Sequence, residues 1–290
     1  MDKNLIQRTL SGIIYTAIII LCTTTYGAQL INNISPGLVK PHYLYYGLIT
    51  FLLAVGTWEC IRIMKFGNGY EKWLVYPIVA IIFYVFSKRY FQHGFYFDFR
   101  LNDILALALI GIAAFTLFKF ATELYFDSGK LIFTVAYVAL PFCFALGLPK
   151  YSSINETFSL EVVFLFILIW SSDTFAYLTG KFFGKHKMAP KVSPKKTWEG
   201  YFGGVILTLI LSYFVEKYQP QLRGNWMVVG FLVASFAPLG DLVESQLKRT
   251  FGVKDSGNII PGHGGILDRL DSFIICAPVV YLYFLIEKFI

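Results

Sequence analysis

Residues 159–180 read SLEVVFLFILIWSSDTFAYLTG. A helix needs about 20 predominantly apolar residues to cross a bilayer core. This run supplies them with no charge between Glu161 and Asp173. It is too long for a strand, and backbone satisfaction in lipid leaves only helices or closed barrels. Asp173 stands near the end of the run. A carboxylate is costly in hydrocarbon, so Asp173 is expected to face a polar cavity or a partner.

The same criterion finds further segments at about 9–28, 43–64, 73–87, 102–120, 131–149, 201–217, 225–245 and 271–289. Together they predict an all-α polytopic integral membrane protein with about nine transmembrane helices. The segment at 73–87 is the shortest and contains Pro77. Composition agrees. Hydrophobic residues make up 56% of the chain and charged residues only 15%, against about a quarter charged in soluble domains. Mean hydropathy is +0.60. Lys3 and Arg8 precede an apolar run from Leu10, but no small-x-small cleavage site follows. An uncleaved first helix is therefore expected rather than a signal peptide. Cys22, Cys60, Cys143 and Cys276 all lie in apolar segments and form no CxxC, so inert buried thiols are expected.

The net charge of +7 has two compatible readings. One is topology, because cytoplasmic loops collect Lys and Arg. The other is attraction to anionic lipid headgroups or nucleotides; nucleic acid is not among the expected partners. With the N-terminus inside and the helices alternating, most of the 25 Lys and Arg residues fall on the inner side. Lys88, Arg89 and Arg100 run against the bias, on the outer side of the third and fourth helices. The prediction is N-terminus in, C-terminus out, in the bacterial inner (cytoplasmic) membrane.

The polar content divides the chain at about residue 158. Residues 1–158 read as transmembrane helices joined by ordinary connectors. Residues 159–290 hold two long cytoplasmic loops, 181–200 and 246–270, flanked by intramembrane carboxylates, and read as the catalytic region. In the first loop, Lys181, Lys185 and Lys187 read as solvated, positive-inside lysines. The stretch SPKKTWEG at 193–200 sets Lys195 and Lys196 beside two hydroxyls, a grouping able to hold a phosphate. The second loop lies within GDLVESQLKRTFGVKDSGNIIPGHGGILDRLD at 240–271. Asp241, Ser245, Lys248 and Arg249 share a helical face with Glu244 beside it, and Asp268 and Asp271 share another. A helix N-terminus favours bound anions, and the last two aspartates sit at one. Gly262, Gly264 and Gly265 surround His263 and would let the backbone approach a phosphate. Oxygen ligands without a His/Cys cluster suit Mg²⁺, and cations beside a metal suit phosphoryl or nucleotidyl transfer.

The run from Ser245 through Lys248-Arg249, Lys254-Asp255, Gly257, Ile260-Pro261, His263-Gly264-Gly265-Ile266 and Asp268-Arg269-Leu270-Asp271 resembles the signature of the phosphatidate cytidylyltransferase (CDP-diacylglycerol synthase) family. The upstream run SDTFAYLTGKFFGKHKMAPKVSPKKTWEG is similar to that family too. The resemblance implies that CTP and phosphatidate give CDP-diacylglycerol and pyrophosphate, in a homodimer that requires Mg²⁺ and takes a second, monovalent cation. It implies Asp241 and Asp268 as metal ligands, supported by Asp271. Ser245, Lys248 and Arg249 would bind phosphates and neutralise transition-state charge. Lys195, Lys196, Asp173, His263, Gly264 and Gly265 would complete substrate binding. Three other readings share features with this one: a CTP-dependent lipid kinase releasing CDP, a transporter with Asp173 and Asp241 along an ion path, and a membrane scaffold.

Overall fold

The computed structural model describes residues 3–67, 69–92, 101–149, 151–152, 157–158, 160–262 and 264–287. The helices are α1 (Lys3–Thr23), α2 (Thr25–Ile34), α3 (Pro41–Ile63), α4 (Glu71–Gln92), α5 (Leu101–Lys119), α6 (Asp127–Thr134), α7 (Leu140–Ala145), α8 (Glu161–Phe183), α9 (Trp198–Tyr218), α10 (Trp226–Thr250) and α11 (Leu267–Glu287). A π-helical turn, Val135–Ala139, joins α6 to α7. A 3₁₀ turn, Ala121–Tyr125, precedes α6, and there are two small antiparallel pairs: β1 (Tyr151–Ser152) with β2 (Thr157–Phe158), and β3 (Lys187–Ala189) with β4 (Ser193–Thr197).

Among the described residues, eight segments are long and apolar enough to cross a membrane, and α1 with α2 makes a ninth if that bent pair is one span. The expected helix at 9–28 therefore does not run straight: it breaks at Thr24 and turns by 86°. The cause is local. The Thr23 and Thr24 hydroxyls donate back to the carbonyls of Ile19 (2.6 Å) and Ile20 (2.7 Å). Thr24 takes an extended backbone, and its hydroxyl caps the next helix at Tyr26 N. Such side chains offer the backbone an alternative to the helical ladder. The short segment at 73–87 grows into α4 and carries Pro77 inside it. The segment at 131–149 becomes α6, the π turn and α7. Pro141 lacks an N–H for the Tyr137 carbonyl, and the wide turn precedes it, with Leu140 N–H bonded to Val135 O.

In lipid the drive to associate comes from close packing rather than from hydrophobic transfer. Small residues set two close seams. Gly200 and Gly204 bring α9 against Ala176 of α8, and Gly240 brings α10 against the backbone of Asp271 and Ser272 in α11. The second seam sets Asp241 beside the first turns of α11. Phe166 of α8 stacks on Phe273 of α11 with centroids 4.7 Å apart. Large apolar side chains such as Ile13, Ile81, Phe115 and Ile206 lie exposed around the outside, as lipid-facing surfaces do.

Candidate active site

The lysine-rich loop is an ordered hairpin. Glu199 accepts hydrogen bonds from the backbone N–H of Lys185 (3.0 Å) and His186 (3.1 Å) and contacts the His186 ring at 2.5 Å. Thr197 caps α9 by accepting from Gly200 N at 3.2 Å. These contacts close the hairpin over the ends of α8 and α9. Beneath it lies a cavity of about 740 Å³. Its walls come from α1 (Ser11, Tyr15), α8 (Trp170, Asp173, Tyr177, Lys181), the hairpin (Lys187, Ser193, Lys195, Lys196), α10 (Asp241) and α11 (Asp268, Arg269, Asp271). The first helix bridges to the far side: Ser11 Oγ donates to Pro261 O at 2.9 Å.

Six of the residues singled out from the sequence thus meet in one cavity: Asp173, Lys195, Lys196, Asp241, Asp268 and Asp271. Lys196 Nζ lies 2.8 Å from Asp241 Oδ2 and donates to Pro238 O at 2.8 Å. Asp173, Asp241 and Asp271 stand within mutual electrostatic reach. The remaining expected residues are placed differently. Ser245 lies one turn behind Asp241 and donates to its Oδ1 at 3.0 Å. Lys248 is buried behind the cavity wall, 2.8 Å from Glu244 and 2.5 Å from Asp268. Arg249 lies on the same helix, α10, and its side chain is exposed outside the cavity. Gly264 and Gly265 do not line the cavity either. They serve the inside of the loop, where Gly264 holds φ at +87° and Gly265 N donates to Asp268 Oδ2 at 2.8 Å. His263 lies outside the described residues.

Three cations that line the cavity were not picked out from the sequence. Lys181 and Lys187 read as solvated, and Arg269 as part of the signature without a role, yet all three line the cavity. A fourth unexpected residue, Glu59 of α3, lies just behind it and is fully buried. Its oxygens accept from Ile266 N (3.0 Å), Leu267 N (2.9 Å) and Ser256 Oγ (3.0 Å). The signal was present in the sequence: Glu59 is an acid inside an apolar segment, the feature that marked Asp173.

For a metal, the donor set is selective. Among the described residues no group of three or more His, Cys, Asp or Glu closes a metal site by itself. Mg²⁺ commonly takes one or two carboxylates and completes its shell with substrate phosphates and water. Asp241, with Asp173 and Asp271 nearby, fits that pattern. Asp268 lines the cavity too and is bonded on its far side: Oδ1 accepts from Lys248, and Oδ2 from Ser256 N and Gly265 N, with Ser256 Oγ 2.9 Å away. Like Asp241, whose Oδ2 is paired with Lys196, it carries an ammonium on one oxygen and has lone pairs to spare for a cation.

Residues 7–286 match the model of the Cytidylyltransferase family. Three relatives bear the name phosphatidate cytidylyltransferase. That of Staphylococcus epidermidis is 37% identical over 183 residues, which are 62% of this chain and 68% of the relative. That of Staphylococcus aureus is 38% identical over the same shares. That of Staphylococcus saprophyticus is 37% identical over 185 residues, 63% of this chain and 68% of its own.

Proposed function

The chain belongs to the cytidylyltransferase family, and from that premise we propose that it transfers the cytidylyl group of CTP to phosphatidate, giving CDP-diacylglycerol and pyrophosphate. The observation that carries the reading is one cavity lined by Lys181, Lys187, Lys195, Lys196 and Arg269 on the one hand and by Asp173, Asp241 and Asp271 on the other. A triphosphate needs the cations; a divalent ion needs the carboxylates.

In the reaction, an oxygen of the lipid phosphate forms a bond to the α-phosphorus of CTP. The bond from that phosphorus to the bridging oxygen of the β-phosphate breaks, and pyrophosphate departs with the electron pair. The nucleophile is already an anion at neutral pH, so no strong general base is required. Catalysis then rests on alignment and on charge neutralisation. Lys195 and Lys196, held by the hairpin, neutralise the phosphates. Lys196 also keeps Asp241 turned into the cavity. Ser245 fixes the other oxygen of Asp241 from behind. Bound Mg²⁺ would supply Lewis-acid stabilisation of the phosphoryl oxygens, with Asp241 as its main protein ligand. The lipid tails remain in the bilayer while the headgroup enters beside α1, which contributes Ser11 and Tyr15 to the wall. The site faces the cytoplasm in the inner membrane, with the N-terminus in and the C-terminus out.

Purified protein in phosphatidate-containing detergent micelles tests the proposal. Pyrophosphate should be released only when CTP, phosphatidate and Mg²⁺ are all present, and Asp241→Asn should abolish the release. Pyrophosphate release independent of phosphatidate would refute the assignment of the lipid acceptor.

A further inference from the structure

Glu59 belongs to the half of the chain that carries no signature residue, yet it is bonded into the signature. It lies on α3 and is absent from the cavity wall. Gly56, three residues earlier and on the same helical face, seats α3 against Leu267. From there the Glu59 carboxylate accepts from the first two N–H groups available at the start of α11, those of Ile266 and Leu267. These donors have no intrahelical partner, and a negative charge at this end is favoured by the helix dipole. The second element of the device is Ser256. Its hydroxyl lies 3.0 Å from Glu59 Oε2 and 2.9 Å from Asp268 Oδ2, so one serine spans the two carboxylates. The third element is space. A methyl group at Gly257 would fall 2.5 Å from Glu59 Oε1, and one at Gly265 would meet Ser256 Oγ first and then both Glu59 oxygens. Gly257 stays without a side chain because the carboxylate fills that volume, and Gly265 because Ser256 Oγ and the carboxylate fill it together.

We propose that Glu59 is a positioning residue: by clamping Ser256 and the start of α11, it holds Asp268, Arg269 and Asp271 at the wall of the reaction cavity. This rests on the reading of that cavity as the site of cytidylyl transfer. Glu59 acts through the backbone and through Ser256, and it touches no substrate. Its loss should therefore slow turnover without weakening substrate binding.

The test compares the full-length protein with Glu59→Gln, which keeps the shape but turns one acceptor into a donor facing N–H groups. Turnover should fall roughly 10- to 100-fold, the usual range for residues that orient a site from behind, with KM for CTP and for phosphatidate nearly unchanged. Amide hydrogen exchange should rise at residues 256–267 and remain unchanged in α4, α5 and α9. A cycle with Glu59→Ala and Gly257→Ala adds a second check. Gly257→Ala alone should be damaging, and it should add little once Glu59→Ala has vacated the space, since the carboxylate is the nearest group there. Wild-type turnover in Glu59→Gln, or exchange raised uniformly over all helices, would overturn the proposal. So would a KM increase that accounts for the whole loss, since that indicates direct substrate contact. The exchange measurement needs no nucleotide, so it decides the local clamp even if the wild-type protein shows no cytidylyl transfer.

Discussion

Lys248 Nζ lies 2.5 Å from Asp268 Oδ1, and the same ammonium lies 2.8 Å from Glu244 Oε2. Both carboxylates are buried, with side-chain exposures of 8% and 1%. The cation ties α10 to α11 directly behind the cavity. Removing one member of a buried ion pair strands the other charge, at a cost of about 3–5 kcal/mol. Lys248→Ala should therefore lower the melting temperature of the detergent-solubilised protein strongly. Lys248→Ala with normal melting and only a lost turnover would instead assign Lys248 to the substrate phosphates.

The cations divide by their position relative to the cavity. Lys196→Met should lower turnover by about two to three powers of ten, as the loss of a transition-state contact does. Lys181→Ala and Lys187→Ala should each raise KM for CTP, and the increase should shrink at high salt, where such attractions are screened. Lys185→Ala and Arg249→Ala should leave both parameters near wild type, because neither residue lines the cavity. Steady-state kinetics on the five variants check the division. An Arg249→Ala defect matching that of Lys196→Met would show that Arg249 swings into the site when CTP binds.

Metal dependence separates two carboxylates. Chelation by EDTA should abolish turnover, and Mg²⁺ should restore it. Asp241→Asn should raise the Mg²⁺ concentration needed for half-maximal activity, or remove activity altogether. Asp268→Asn should act differently, by loosening the loop that its Oδ2 gathers through Ser256 and Gly265. A Mg²⁺ titration paired with limited proteolysis distinguishes them. A pure shift in Mg²⁺ requirement for Asp268→Asn, with an intact loop, would make Asp268 a metal ligand.

Orientation is open to thiol labelling of intact cells. Lys185→Cys in the hairpin loop should be shielded from an impermeant reagent, and Gln221→Cys in the α9–α10 turn should react. The opposite pattern would invert the N-in topology inferred from the Lys and Arg distribution.

Much of this site can be read along the chain because its members break an apolar background. Asp173 and Asp241 stand out in that way, and Asp268 and Asp271 stand out by their spacing at a helix start. Lys195 and Lys196 sit next to each other beside hydroxyls. What spacing cannot give is the far partner of a side chain. Lys248 shares a helical face with Asp241, but its ammonium turns to Asp268 on another helix. Glu59 meets Ser256 across 197 positions of sequence, so no local motif announces the pair. Lys181 and Lys187 look solvated until Glu199 folds the loop back over the cavity. The bend at Thr24 is similarly hidden, since threonine is tolerated in helices and breaks one only when its hydroxyl takes over the backbone bonds.

In the proposed reaction the α-phosphorus of CTP, and not the γ-phosphorus, is transferred to phosphatidate. The direct measurement supplies CTP labelled in parallel at the α- and γ-positions to wild-type protein and to Asp241→Asn, with phosphatidate and Mg²⁺, and follows each label into the lipid phase. Cytidylyl transfer puts α-label in the lipid and γ-label in pyrophosphate in equal amount, and Asp241→Asn should show neither. γ-Label in the lipid with release of CDP would contradict it and make the protein a CTP-dependent lipid kinase.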